Sequence, residues 1–411
     1  LHFVIVQVTA SLAYRHGAAA DSSAPFRSSY GNSPLGVIRD SAPLTGIVDR
    51  LVSPLRLWDG LWYQLVAEKG YGFHSANAAF WPLFPWSMRG LANLSGISTA
   101  FAGYLIANLS FVVALVLFHR LVQLDFDDRT AAASVWAIAL FPTSFFFAAV
   151  YTESPFLMLL VGALLAARLR HWWLAGVIGV LAALTRSYGV FLVLPFAVLF
   201  FQQHGAYLRR WIPNALPVAL PVLGPALFSW RLRVIDGNPW AWKDVQSQWN
   251  RYSAKPWETL RWAFSSSPRG RAIPSPHGHF DGAYWGWIRD LADNPNWHLI
   301  ASNAWRRDVA ESDTLELVCT LLFLGLAVIG LFKLPLYQSA YLVPGLIVPL
   351  FQPSSVHTLM SMPRFGLTLF PLFVVLGILL KGRKIAVPLA LLSTAMLVLL
   401  TIQFSQWYWV S

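Results

Sequence analysis

Apolar and polar stretches alternate along this chain with a coarse period. Ten apolar runs, mostly about 14 to 20 residues long, occupy 101–118, 131–149, 155–168, 172–185, 189–203, 212–230, 314–332, 336–351, 365–380 and 386–403, after a shorter one at 1–14. A bilayer core takes roughly 20 helical residues to cross, and only a helix satisfies its own backbone hydrogen bonds in lipid. Leu- and Ala-rich stretches such as 156–170 suit helices, and the period-two alternation of half-buried strands is absent. The pattern predicts an all-α polytopic membrane protein of about eleven transmembrane helices, forming one integral-membrane domain over 1–411. The run at 1–14 reads as part of a first transmembrane helix and not as a signal peptide, because no small-residue cleavage pattern follows it.

Two segments are too polar to cross, 15–100 and 231–313. Counting turns puts both on one side, together with the short turns after the third, fifth and ninth spans. The opposite side receives Arg120, Arg129, Arg168, Arg170, Arg209, Arg210, Lys333, Lys381, Arg383 and Lys384, against Asp125, Asp127 and Asp128. Basic residues in short loops mark the cytoplasmic side, so both long segments are expected to be extracytoplasmic. The second is rich in tryptophan (Trp240, Trp242, Trp249, Trp257, Trp262, Trp285, Trp287, Trp297, Trp305). Tryptophan prefers the headgroup layer, so the segment reads either as interfacial helices or as a greasy rim that admits a lipid substrate.

Composition narrows the class. Of 411 residues, 56% are hydrophobic and 12% charged, about half the charged share of a soluble domain. A soluble enzyme is excluded. The net charge of +11 sits mainly in short loops, which fits membrane orientation and not a nucleic-acid surface. The lone cysteine, Cys319, permits neither an intrachain disulfide nor a cysteine-based zinc site. No Walker loop or strand-borne GxGxxG is present, so an activated substrate would arrive through the membrane. Basic residues are mostly arginine, which suggests a GC-rich bacterial source and hence a bacterial cell membrane; a eukaryotic chain of this kind would sit in the endoplasmic reticulum membrane.

Candidate chemistry lies on the side of the two long segments. Within "LWDGLWYQLVAEKGYGFHSANAAFWPLFP", helical spacing puts Asp59 and Tyr63 on one face and Trp58 and Trp62 on another. Asp59 can be read as a helix N-cap or as a general base with a carboxylate partly shielded by aromatics. "VYTESPF" brings Tyr151, Glu153 and Ser154, "LTRSYG" brings Arg186, and "SSVHTLMSMPRFG" brings His357 and Arg364. Each has a structural reading, Ser154 as a cap and the arginines as snorkelling anchors. Against that, ionisable residues at membrane depth usually face a cavity or one another, and arginine suits a lipid phosphate. "HGHFD" (His277, His279, Asp281) resembles a ligand set superficially but lacks a fourth partner, so it reads as a polar loop.

The run "WDGLWYQLVAEKGY…AAFWPLFP", then "FPTSFFFAAVYTESPF" and "AGVIGVLAALTRSYGV", resembles the PIG-V family of mannosyltransferases, in the GT-C superfamily. "HTLMSMPRFGLTLFPLF" and "FSQWYWV" are similar to that family's C-terminal region. The resemblance implies GT-C architecture with two long extracytoplasmic loops, and cofactor-free, metal-independent, inverting transfer from a polyprenyl-phosphate sugar, typically mannose. It implies Asp59 as the base, with Trp58, Tyr63, Tyr151, Glu153, Arg186, His357 and Arg364 binding substrate. The acceptor would be a glycolipid, a glycan or a protein, the surroundings are membrane lipids, and a small membrane subunit is a further candidate partner. Rival readings are the same chemistry with arabinose or a hexosamine, a lipid-linked sugar transporter or flippase, and a non-catalytic scaffold.

Overall fold

The computed structural model describes residues 1–14, 44–205, 215–264, 313–355, 357–406 and 410. Helices of seven or more residues are α1 (His2–Ala13), α2 (Gly46–Val52), α3 (Asp59–Lys69), α4 (Leu83–Ser95), α5 (Thr99–Gln123), α6 (Asp128–Ala139), α7 (Glu153–Arg168), α8 (Trp172–Thr185), α9 (Val193–His204), α10 (Leu223–Asp236), α11 (Pro256–Phe264), α12 (Asp313–Lys333), α13 (Leu336–Ile347), α14 (Phe370–Leu380) and α15 (Ala386–Ser405). Among the described residues, extended pairing is limited to one antiparallel bridge, Arg251 with Ser354. The all-α expectation holds.

Every apolar run contributes a helix, but the runs are not equivalent. By length and composition five segments can cross a bilayer: Thr99–Gln123, Ser187–His204, Leu216–Asp236, Leu315–Lys333 and Ala386–Ser405. Met362–Thr368 and Phe370–Leu380 make a sixth if their 80° bend is one broken span. The run 131–149 departs most from expectation, because its helix stops at Ala139. Pro142 lacks the N–H that an ongoing helix needs, and a 3-10 turn follows at Ser144–Phe147. Phe145, Phe146 and Phe147 are fully buried there, and the Phe147 ring stacks on Phe111 at 4.5 Å. The segment is therefore a plug inside the helix bundle.

The core forms where α7 packs between α5 and α8 and where α14 packs on α6. The second contact depends on a missing side chain. A Cβ at Gly377 would meet the Ser134 hydroxyl, lie 2.8 Å from the Thr130 carbonyl oxygen and 2.9 Å from the Ser134 amide.

The two ends of α7 anchor different charge clusters. At its C-terminal end Arg168 pairs with Asp125, whose other oxygen accepts from Tyr337 Oη at 2.5 Å, and nearby Lys381 Nζ lies 2.8 Å from Asp127. Its N-terminal end carries Glu153, roughly 22 Å away along the helix axis. There the described parts of the two long polar segments meet. Trp249 packs edge-on to Trp62 and Phe80, Trp81 contacts Trp242, and Gln248 donates to the Ser75 hydroxyl.

Gly377→Ala should overpack the α6–α14 contact and cost about 1–3 kcal/mol. Gly90→Ala, on α4 with nothing within 4 Å of the added Cβ, should be neutral or gain up to about 1 kcal/mol. Thermal unfolding in detergent separates the two.

Candidate active site

The site is assembled from four chain turns. α3 begins at Asp59 immediately after Trp58, whose backbone has φ 55° and ψ −117°. That conformation costs a non-glycine residue on the order of 1–3 kcal/mol and persists only where the surroundings impose it. Here the Tyr151 hydroxyl imposes it, accepting from the Asp59 amide at 3.2 Å and donating to the Leu57 carbonyl at 3.0 Å. α8 ends at Thr185, and Arg186 leaves it in an extended conformation. The turn closes because Gly189 lies against the backbone of Ala182 and Ala183, with no room for a Cβ. Arg364 sits on the one-turn helix Met362–Phe365, entered through Ser361 at φ 71°. The Ser361 amide donates to Glu316 of α12 at 3.2 Å.

These turns bring four charged groups into one network. Arg364 Nη1 donates to Asp59 Oδ2 at 2.6 Å, and Arg364 Nε is 3.3 Å from Glu153 Oε1. The same Glu153 oxygen pairs with Arg186 Nη1. Glu153 is 1% exposed, and Asp59 and Arg364 are each 13% exposed at their side chains. Asp59 thus spends its carboxylate on Arg364 and does not act as a helix cap. Thr152 joins the network, sharing a hydrogen bond with Tyr63 Oη at 3.1 Å and lying 3.4 Å from Arg186. Burial pushes the Tyr63 and Tyr151 phenols well above their ordinary range, reinforced by the neighbouring carboxylates. Both stay protonated near neutral pH, and Asp59 supplies the carboxylate at the cavity wall.

A cavity of about 190 Å³ opens beside this network. Asp59, Tyr63, Arg186 and Arg364 line one part of it, and Phe80, Trp81, Trp242 and Trp249 line another. Arg251, Lys243, Gln246 and Phe365 complete much of the wall.

The residues singled out from sequence fall into three groups. Asp59, Tyr63, Arg186 and Arg364 converge on the cavity. Glu153 and Tyr151 lie directly behind it as buried supports of those groups, and Trp58 packs against the core at the strained turn. His357 is half-buried, its carbonyl accepts from the Met360 amide, and it is not a cavity-lining residue. Ser154 donates to the Phe147 carbonyl and does not cap α7. His277, His279 and Asp281 lie outside the described residues, and among those described no three His, Cys, Asp or Glu side chains gather as a metal-ligand set. Arg251, Lys243 and Glu316 were not anticipated. No periodic pattern marks them, and only the basic and aromatic character of "WNRYS" hinted at Arg251.

A helical membrane protein with a charged, aromatic-walled cavity at the ends of its helices is the class that fold and site define. Comparison with known proteins is more specific. The family model described as Mannosyltransferase (PIG-V) matches residues 22–212. GPI alpha-1,6-mannosyltransferase 2 of Mus musculus is 31% identical over 286 residues, covering 62% of this chain and 56% of that protein. GPI mannosyltransferase 2 of Yarrowia lipolytica is 28% identical over 260 residues, covering 62% and 65%. The chain therefore spans somewhat over half the length of these relatives. ArnT from Cupriavidus metallidurans, solved bound to undecaprenyl phosphate, aligns with a TM-score of 0.47 at 13% identity, covering 82% of this chain and 57% of that one. The chain is similar to the PIG-V mannosyltransferases, as its motifs implied, and the matched region includes Asp59, Glu153 and Arg186.

Glu153→Gln should be strongly destabilising, by about 3–5 kcal/mol, because it leaves two desolvated guanidiniums without their shared carboxylate. Pairing it with Arg186→Gln should recover part of that loss. A double-mutant cycle on thermal unfolding measures the coupling, and additive losses would contradict the shared pairing.

Proposed function

We propose that this chain is an inverting glycosyltransferase that moves a sugar, mannose, from a polyprenyl-phosphate donor to a glycolipid, glycan or protein acceptor at the extracytoplasmic face of a bacterial membrane. The observation that carries the reading is the Asp59 carboxylate, held by Arg364 at 2.6 Å at the wall of an arginine-lined cavity. The similarity to mannosyltransferases over the region holding Asp59 supports it.

The chemistry divides between the two charge signs. Asp59 takes the proton from an acceptor hydroxyl as that oxygen attacks the anomeric carbon. The new bond forms on the face opposite the phosphate, and the C1–O bond breaks with its electron pair passing to the phosphate oxygen. A single displacement of this kind inverts the anomeric configuration. Charge then grows on the leaving phosphate, and guanidiniums already fixed around the cavity stabilise it with little reorganisation. The pairing with Arg364 holds the Asp59 carboxylate aimed before substrate arrives. The aromatic wall of Trp81, Trp242 and Trp249 offers flat apolar surface to a sugar ring or to the first isoprene units.

Purified protein should move radiolabelled mannose from polyprenyl-phosphate mannose into a crude glycolipid extract. Asp59→Asn, nearly isosteric, should fold and still bind donor while transfer falls about 10²–10⁴-fold. Retained transfer by the variant would remove Asp59 from the chemistry. Donor binding by the wild type with no transfer to any extract would favour transport.

A further inference from the structure

Arg186 and Arg364 are committed to carboxylates, but a third guanidinium in the same cavity is not. The ring of Phe365 has Arg186, Arg251 and Arg364 around it, with guanidinium carbons 5.5, 5.7 and 5.6 Å from its centroid. Three like charges around one ring repel unless anions separate them. Glu153 serves Arg186 and Arg364, and Asp59 serves Arg364. Arg251 forms no ion pair among the described residues. Its Nη1 and Nη2 donate to the backbone carbonyls of Gln352 at 2.9 Å and Met360 at 3.2 Å, which uses two of an arginine's five N–H donors.

The position of Arg251 is fixed by the chain around it. Asn250 turns the backbone with φ 55°, and Arg251 bridges to Ser354. On either side, the Tyr252 amide donates to the Pro353 carbonyl at 3.1 Å and the Ser355 amide to the Asn250 carbonyl at 2.9 Å. A half-buried cation is thus pinned at a cavity wall. Lys243, eight residues earlier in the chain, lines the same cavity and likewise pairs with no carboxylate among the described residues. Against Arg186, Arg251, Arg364 and Lys243 stand Asp59, Glu153 and Glu316, the last within electrostatic reach of Arg251. The balance is one positive charge in excess, which matches the single negative charge of a phosphodiester.

Resting on the glycosyl-transfer reading above, we propose that Arg251, with Lys243, holds the phosphate of the lipid-linked donor, and that Arg186 and Arg364 serve to fix Glu153 and Asp59. The phosphate bridges the remaining Arg251 donors and the Lys243 ammonium, which leaves the Asp59–Arg364 pair intact for proton transfer. As the C1–O bond breaks, the phosphate gains a second negative charge beside these two cations.

Binding of undecaprenyl phosphate and of undecaprenol to the protein in nanodiscs tests this without requiring turnover. Wild type should prefer the phosphate. Arg251→Gln should lose that preference by about 10–100-fold, the worth of a charge-assisted contact, with undecaprenol binding unchanged, and Arg251→Lys should restore part of it. Lys243→Gln, at an exposed position, should lose several-fold and guards against misfolding of the Arg251 variant. A folded Arg251→Gln that keeps the wild-type preference overturns the assignment, as does an unaffected Lys243→Gln should the Arg251 variant not fold. A wild type that does not distinguish phosphate from alcohol overturns the polyprenyl-phosphate donor itself, and the phosphate site with it.

Discussion

One carboxylate oxygen, Oε1 of Glu153, holds two guanidiniums from distant parts of the chain. An ionised carboxylate buried at 1% exposure is expensive on its own, and two arginines near each other are expensive on their own. Together they are tolerable, and that mutual requirement ties the start of α7 to the end of α8 and to the one-turn helix before α14. Arg364 then carries the constraint on to Asp59. The Tyr151 hydroxyl fixes the same turn from behind by bridging the backbone at Leu57 and Asp59. Asp59 is therefore positioned twice, once through its side chain and once through its backbone.

This economy explains the neighbourhood of the site. Among the described residues, three of the four non-glycine residues with positive φ, Trp58, Asn250 and Ser361, lie within three residues of Asp59, Arg251 and Arg364 respectively. Such conformations survive where packing overrides local preference. The plug at 140–150 supplies much of that packing. Its Phe146 ring lies 5.7 Å from the Arg364 guanidinium and 5.2 Å from the Tyr151 ring. The apolar core and the charged cavity are thus continuous.

Much of this was legible in the sequence because membrane proteins repeat one strong signal. Apolar runs located the helices, and punctuating motifs such as "WDG", "YTES" and "TRSYG" located the turns that carry Asp59, Glu153 and Arg186. Two things were hidden. The run 131–149 looks like a span by hydropathy, yet Pro142 and the need to fill the core below the site turn it into a plug. Arg251 sits in a Trp-rich stretch with no period, and its meaning comes from pairing with 351–355, about a hundred residues away. Local sequence also could not separate the arginines that hold carboxylates from one left for a ligand, because that depends on which charges meet in space.

The central claim is that Asp59 and Arg364 act as one unit in sugar transfer. The most direct test compares kcat for mannose transfer by Asp59→Asn, Arg364→Gln and the double variant. Residues acting as a unit are strongly non-additive, so the double variant should be no slower than the worse single variant. Losses that multiply would mean that the two side chains serve separate roles, and would contradict a single site built on their contact.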